Sequence, residues 1–150
     1  MRQQLPSGTP VEVVRPEGEA RLGLVLAPDI MGLRPLFDDL AARLRDEHGW
    51  AVAVVEPFPG RESLTLEERM ASVGGLVDAD AVGALLAAAD LLAVEPVAVL
   101  GFCMGGMLAM KAAATGRFAA AVPFYGMVRN PAGWKTATNG DAADALTAAP

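Results

Sequence analysis

The stretch Val97-Ala98-Val99-Leu100-Gly101-Phe102-Cys103-Met104-Gly105-Gly106 leaves this chain few ways to fold. Its apolar, β-branched start reads as a short buried strand, and the Ala/Leu/Met-rich run from Met107 to Thr115 reads as a helix. The turn between them is so short that strand and helix must nearly touch, and the single cysteine sits at its apex. Gly101, Gly105 and Gly106 remove the side chains that would block this approach. A residue on such a strained turn is presented at the carboxyl end of the sheet. The helix amino terminus offers free N–H groups and the positive end of a dipole, which favours a thiolate at Cys103. The N–H of Met104 then points where an oxyanion would form. A lone cysteine is more often a small buried hydrophobe, but glycines on both sides of Cys103 favour a nucleophile.

Elsewhere strands alternate with helices. Leu22–Ala27 and Ala51–Val55 are continuous apolar runs, as in strands covered on both faces. Val11–Val14 alternates and reads as an edge strand. Ala119–Tyr125 reads as a further strand, which Pro123 marks as irregular or paired on one side. Pro35 in a first turn, with Leu36, Phe37, Leu40 and Leu44 at helical spacing, predicts a helix from Arg34 through Glu47, stopped by Gly49. Leu64–Val73 and Asp78–Leu92 read as two more helices separated by Gly74-Gly75, and Ala81, Val82, Leu85, Leu86, Ala89 and Leu92 form the buried stripe of the second. Asp141–Ala149 is predicted as a last short helix with Asp141 as its cap. This order implies one α/β domain over residues 1–150, a mostly parallel sheet with helices on both faces. Right-handed crossovers gather the carboxyl ends of the strands at one rim, where ligands bind. The loops Pro28–Gly32 and Glu56–Arg61 and the cysteine turn meet there.

Composition excludes several functions. With a net charge of −6 and a pI near 4.7, nucleic acid and anionic membrane surfaces are not expected partners. The chain is 53% hydrophobic, which fits a packed core rather than disorder. One cysteine allows neither an internal disulfide nor a zinc cage of cysteines, and fits a cytoplasmic setting. The amino terminus lacks a signal-peptide core, and the apolar runs are interrupted well before membrane-spanning length. Gly101–Gly106 does not match the dinucleotide fingerprint, and no Lys-Ser/Thr follows it as in a phosphate-binding loop, so no cofactor and no metal are expected.

Thiol hydrolysis needs a nucleophile, an oxyanion hole, a base and a group that orients the base. Cys103 supplies the first, and Met104 N–H half of the second. Ile30 N–H, in the loop after an earlier strand, is placed for the other half. The only histidine, His48, ends a helix that returns antiparallel to the strands over about 20 Å at 1.5 Å per residue. It is expected at the opposite rim, as a donor at a helix carboxyl terminus. Asp29 reads either as a turn former or as a carboxylate beside the thiol. Arg34, Arg61 and Arg69 read as solvated charges, one of which is able to bind an anionic substrate group. Tyr125 ends a strand near the rim. Met31, Met104, Met107 and Met110 read as packing residues.

Gly101-Phe102-Cys103-Met104-Gly105-Gly106 resembles the nucleophile turn of the dienelactone hydrolase family, α/β-hydrolases with cysteine in place of serine. The similarity extends from about Val11 to Gly126 through Pro28-Asp29-Ile30-Met31-Gly32, Val54-Val55-Glu56-Pro57-Phe58 and Phe124-Tyr125-Gly126. It implies an ester or lactone substrate, Cys103 as nucleophile, and Met104 and Ile30 as oxyanion hole. Asp29 falls where the family has a glutamate that contacts the resting thiol, and Arg69 where it has an arginine for a substrate carboxylate. Tyr125 is a further substrate-binding candidate. The resemblance also implies later strands and helices carrying a catalytic aspartate and histidine, which are missing from this sequence. The chain alone is therefore expected to turn over weakly or not at all. The strand at Ala119–Tyr125 is expected to lack an outer neighbour, which favours a homodimer or a completing chain.

Three other readings compete. Amidotransferase-like and DJ-1-like proteins also place a cysteine between strand and helix, but usually with histidine next, where this chain has Met104. A nucleotide-binding half-domain lacks its fingerprint. A non-catalytic chain with an inert thiol is the third.

Overall fold

A computed structural model describes residues 1–149. Its strands are β1 (Arg2–Gln4), β2 (Pro10–Val14), β3 (Gly23–Ala27), β4 (Ala51–Val55), β5 (Val97–Phe102) and β6 (Ala120–Phe124). Its helices are α1 (Pro35–His48), α2 (Leu66–Ser72), α3 (Asp78–Leu92), α4 (Met104–Ala113) and α5 (Ala142–Thr147). A 3-10 turn, Val73–Gly75, joins α2 to the segment before α3. The six strands form one sheet in the order β1-β2-β4-β3-β5-β6. β4, β3, β5 and β6 run parallel, while β1 and β2 are antiparallel additions at one side.

Side-chain alternation divides the core in two. Leu24, Leu26, Val52 and Val54 pack against Phe37 and Ala41 of α1 on one face. Val25, Ala53, Val55, Val97 and Val99 pack on the other against Ala84, Leu85, Ala88, Ala89 and Leu92 of α3 and against Met104, Met107 and Leu108 of α4. On β5 and β6 the α1 face is thinly covered, and Val122 and Phe124 are exposed there. No helix among the described residues is long and apolar enough to cross a membrane.

Several expectations change. Val11–Val14 is not an edge, because β1 lies outside it. Leu36 is exposed, and α1 turns Phe37 and Ala41 inward. The buried stripe of α3 is rotated toward Ala84 and Ala88, whose small side chains let the helix sit close to the sheet. α4 begins at Met104 rather than after Gly106. On β6, the C=O of Phe124 accepts from Cys103 N–H at 3.0 Å, so Ala120, Val122 and Phe124 direct their main-chain groups at β5. Pro123 therefore points outward, and its missing N–H costs the β5–β6 ladder nothing.

The segment after β6 is tied back to the domain by a polar network. Lys111 of α4 is buried and donates to Asp78 at 2.7 Å and to Asn139 Oδ1 at 2.9 Å. Asn139 donates in turn to the carbonyls of Val73 and Trp134. Asp141 heads α5 as expected but does not cap it. Its carboxylate accepts from Asn130 N–H and from Lys135 Nζ, both at 2.7 Å. Those bonds, Lys135 first, hold the Asp141 carboxyl below its ordinary pKa. A depressed folded-state pKa gives stability that is complete above the unfolded value, about 3.9, and is lost as pH falls through the folded one. Asp141→Asn is therefore expected to lower stability at neutral pH, with the gap to the parent closing as pH falls through the folded-state value; urea melts at neutral and at acid pH check this.

Candidate active site

Cys103 joins β5 to α4 with φ 54° and ψ −119°, a conformation that L residues avoid, and its side chain is partly exposed. Such a residue stores about 1–3 kcal/mol of strain, which the surroundings must hold in place. Here main chain meets main chain. A Cβ on Gly101 would lie 2.1 Å from the Gly105 carbonyl oxygen. One on Gly105 would lie 2.1 Å from that of Ala27 and 2.2 Å from that of Pro28. One on Gly106 would come within 2.8 Å of Gly126 Cα. These distances are why the sequence carries glycine at all three positions. Met107 N–H closes the first turn of α4 onto Cys103 C=O at 3.1 Å, so the N–H of Met104 heads the helix with no intrahelical acceptor.

The loop after β3 lies alongside, since Ala27 pairs with Gly101 across the sheet. Gly32 N–H closes a turn onto Asp29 C=O at 2.9 Å, and Met31 N–H donates to Asp29 Oδ1 at 3.0 Å. Arg34 engages both Asp29 oxygens, at 2.6 and 2.7 Å, and its guanidinium lies over the Phe37 ring. The hydrogen bonds to Asp29 raise the Arg34 pKa above its ordinary value, and Tyr125 adds to the effect. Any contact between Asp29 and the resting thiol must thus compete with a bidentate ion pair. Tyr125 has φ 38°, is largely exposed, and stands with its ring centroid 6.2 Å from that of Phe102, beside the cysteine turn.

Arg69 departs from its expected role. It is neither solvated nor open to a substrate: its side chain is 2% exposed and pairs with Glu56 at 3.0 Å. It also donates to the carbonyls of Leu64, Ile30 and Glu62 and lies over the Phe58 ring. Its partner Glu56 was not singled out in the sequence. The available signal was an acid directly after the wholly buried strand Ala51–Val55, at the rim end. His48 is exposed at the end of α1, its ring tilted against that of Trp50 with centroids 4.8 Å apart, at the rim opposite Cys103. Among the described residues no cluster of His, Cys, Asp and Glu suited to a metal is found.

A cavity of about 740 Å³ opens between α3 and the loop after β4, walled by Pro28, Pro57, Phe58, Leu76 and Ala84, with Arg61 at its edge. Cys103 does not line it. At the thiol, by contrast, a strained residue sits directly at the head of a helix whose first N–H has no intrahelical acceptor.

The family model described as the dienelactone hydrolase family matches residues 10–145. A solved structure from Klebsiella pneumoniae subsp. pneumoniae, named as a dienelactone hydrolase, is 21% identical, aligns over 94% of this chain and 64% of its own, and has a TM-score of 0.74. A dienelactone hydrolase-like promiscuous phosphotriesterase from metagenomic libraries is 26% identical, aligns over 89% of this chain and 62% of its own, and has a TM-score of 0.71. The chain thus spans a little under two thirds of the length of each. No curated protein matches it.

Two substitutions test the turn. Cys103→Gly removes the strain and is expected to raise the melting temperature by about 2–4 °C, the equivalent of about 1 kcal/mol. Gly105→Ala is expected to lower it well beyond that range or to prevent folding, because its Cβ meets two main-chain oxygens that cannot move aside. Thermal melts of both variants decide the matter.

Proposed function

This chain belongs to the dienelactone hydrolase family, and on that premise we propose that it cleaves a carboxylic ester or lactone through an acyl-enzyme on Cys103. The observation that carries the proposal is the strained cysteine at the head of a helix whose first N–H, that of Met104, is free. The Cys103 thiolate attacks the carbonyl carbon; a C–S bond forms and the C=O electron pair moves onto oxygen. Met104 and Ile30 N–H stabilise that oxyanion. Collapse restores C=O and breaks the bond to the leaving alkoxide, which takes a proton from water. Water then adds to the thioester carbon, the C–S bond breaks, and thiolate, carboxylate and two protons result, one of which neutralises the hydroxide left when the alkoxide was protonated.

The second step wants a base to activate water. The only imidazole, His48, stands at the opposite rim, so this chain by itself acylates and then stalls. With p-nitrophenyl acetate, the pure chain is expected to release one equivalent of nitrophenol, carry one acetyl group on Cys103, and then turn over more slowly by roughly the 10²-fold or more that a general base supplies. Burst kinetics and intact mass read both. An unmodified Cys103, or steady turnover that survives Cys103→Ala, would overturn the nucleophile. Fast steady turnover lost in Cys103→Ala would keep the nucleophile and overturn the stalled second step.

A further inference from the structure

We infer that the buried Arg69–Glu56 pair is a positioning device for the oxyanion hole, an inference that rests on the acyl-enzyme reading above. The pair grips the Asp29–Leu33 loop from beneath at two points. Arg69 Nη1 donates to Ile30 C=O at 3.1 Å, and Glu56 Oε2 accepts from Leu33 N–H at 3.0 Å. Between them, Gly32 has φ +68° and sits so close that a Cβ would lie 2.4 Å from Glu56 Oε2. The pair is anchored in turn. Glu56 Oε1 accepts from Phe58 N–H at 3.0 Å and from Arg69 Nη1 at 3.0 Å. The remaining guanidinium donors reach Leu64 C=O at 3.2 Å and Glu62 C=O at 2.6 Å. Arg69 rides on α2, whose start is fixed by a capping box between Thr65 and Glu68.

Hydrogen-bond accounting shows what this achieves. The N–H of Met31 goes to Asp29 Oδ1, that of Gly32 to Asp29 C=O, and that of Leu33 to Glu56. Among the described residues the N–H of Ile30 donates to no protein acceptor. The loop therefore spends every later donor on itself or on Glu56, and leaves one donor for a developing charge. A buried ion pair adds little net stability compared with an apolar filling of the same volume. Its distinctive contribution is geometric. A planar fork with several fixed donors sets a peptide's place and orientation as an alkyl chain cannot, and an oxyanion donor acts only when held close to the reacting oxygen.

The test compares two reactions of the same thiol. Iodoacetamide alkylates Cys103 and develops no oxyanion, whereas p-nitrophenyl acetate acylates it through one. In Arg69→Lys, the ratio of acylation to alkylation rate is expected to fall roughly 10–100-fold, part of the 10²–10³ that one oxyanion donor supplies, with alkylation unchanged. Glu56→Gln keeps the shape and an acceptor oxygen but loses the charge; its ratio is expected to fall less, and it replaces Arg69→Lys if that variant does not fold. An unchanged ratio in a folded variant overturns the inference, as does a parallel fall of both rates, which marks a merely structural pair. A parent chain that alkylates but never acylates overturns the function and this inference together. A parent that acylates, beside variants with its ratio, overturns this inference alone.

Discussion

The rim is organised by the distance between two stretches of main chain. α4 approaches the end of β3 so closely that a Cβ on Gly105 would run into the carbonyl oxygens of Ala27 and Pro28. With no side chain between them, the first N–H of α4 and the loop after β3 are set relative to each other by backbone alone. The cost is the strained Cys103, about 1–3 kcal/mol. Burial offsets it: every residue from Met104 to Ala112 is buried, and Met104 and Met107 alone contribute about 1.5–3 kcal/mol each. The helix is held down by its apolar body, and the turn at its head has no freedom to relax.

The parts of the fold that bury continuous apolar runs were legible. β3, β4 and α1 fall within a residue of where Leu22–Ala27, Ala51–Val55 and the Pro35-to-Gly49 pattern place them. The parts that read poorly lacked contrast. β1 is three exposed polar residues, Arg-Gln-Gln, paired at an edge, and nothing in their chemistry requires a strand. α3 is so rich in alanine that two overlapping stripes fit its sequence, and packing chose the one with the smaller residues. α4 begins early because Gly105 and Gly106, poor helix formers, are there to let main chains touch; propensity argued one way and packing won.

The placement of the candidate residues in the fold was legible where local sequence determines it and illegible where it depends on long-range pairing. Cys103, Met104 and Ile30 lie on a strand–turn–helix and on the neighbouring loop, which the order of elements brings together. Arg69 was misjudged because nothing within a few residues of it announces burial. Its partners Ile30 and Glu56 lie 39 and 13 positions away. Only the folded chain shows that a charge of ordinary surface type is enclosed on all sides. Asp29 is the intermediate case. Its place in the turn was readable, but its bidentate engagement with Arg34, five residues on, shows only in the folded chain.

Pro123 has a consequence for what the open side of β6 offers to a neighbour. On the outer side of β6 the alternating donors are interrupted where proline stands, so a strand arriving from solution would find an incomplete hydrogen-bond template. The apolar side chains of Val122 and Phe124 project from the sheet face instead, with Phe124 stacked on Phe102 at 5.1 Å. Whatever covers this side of the sheet would therefore meet an apolar face rather than a complete strand edge, and such contact weakens on cooling.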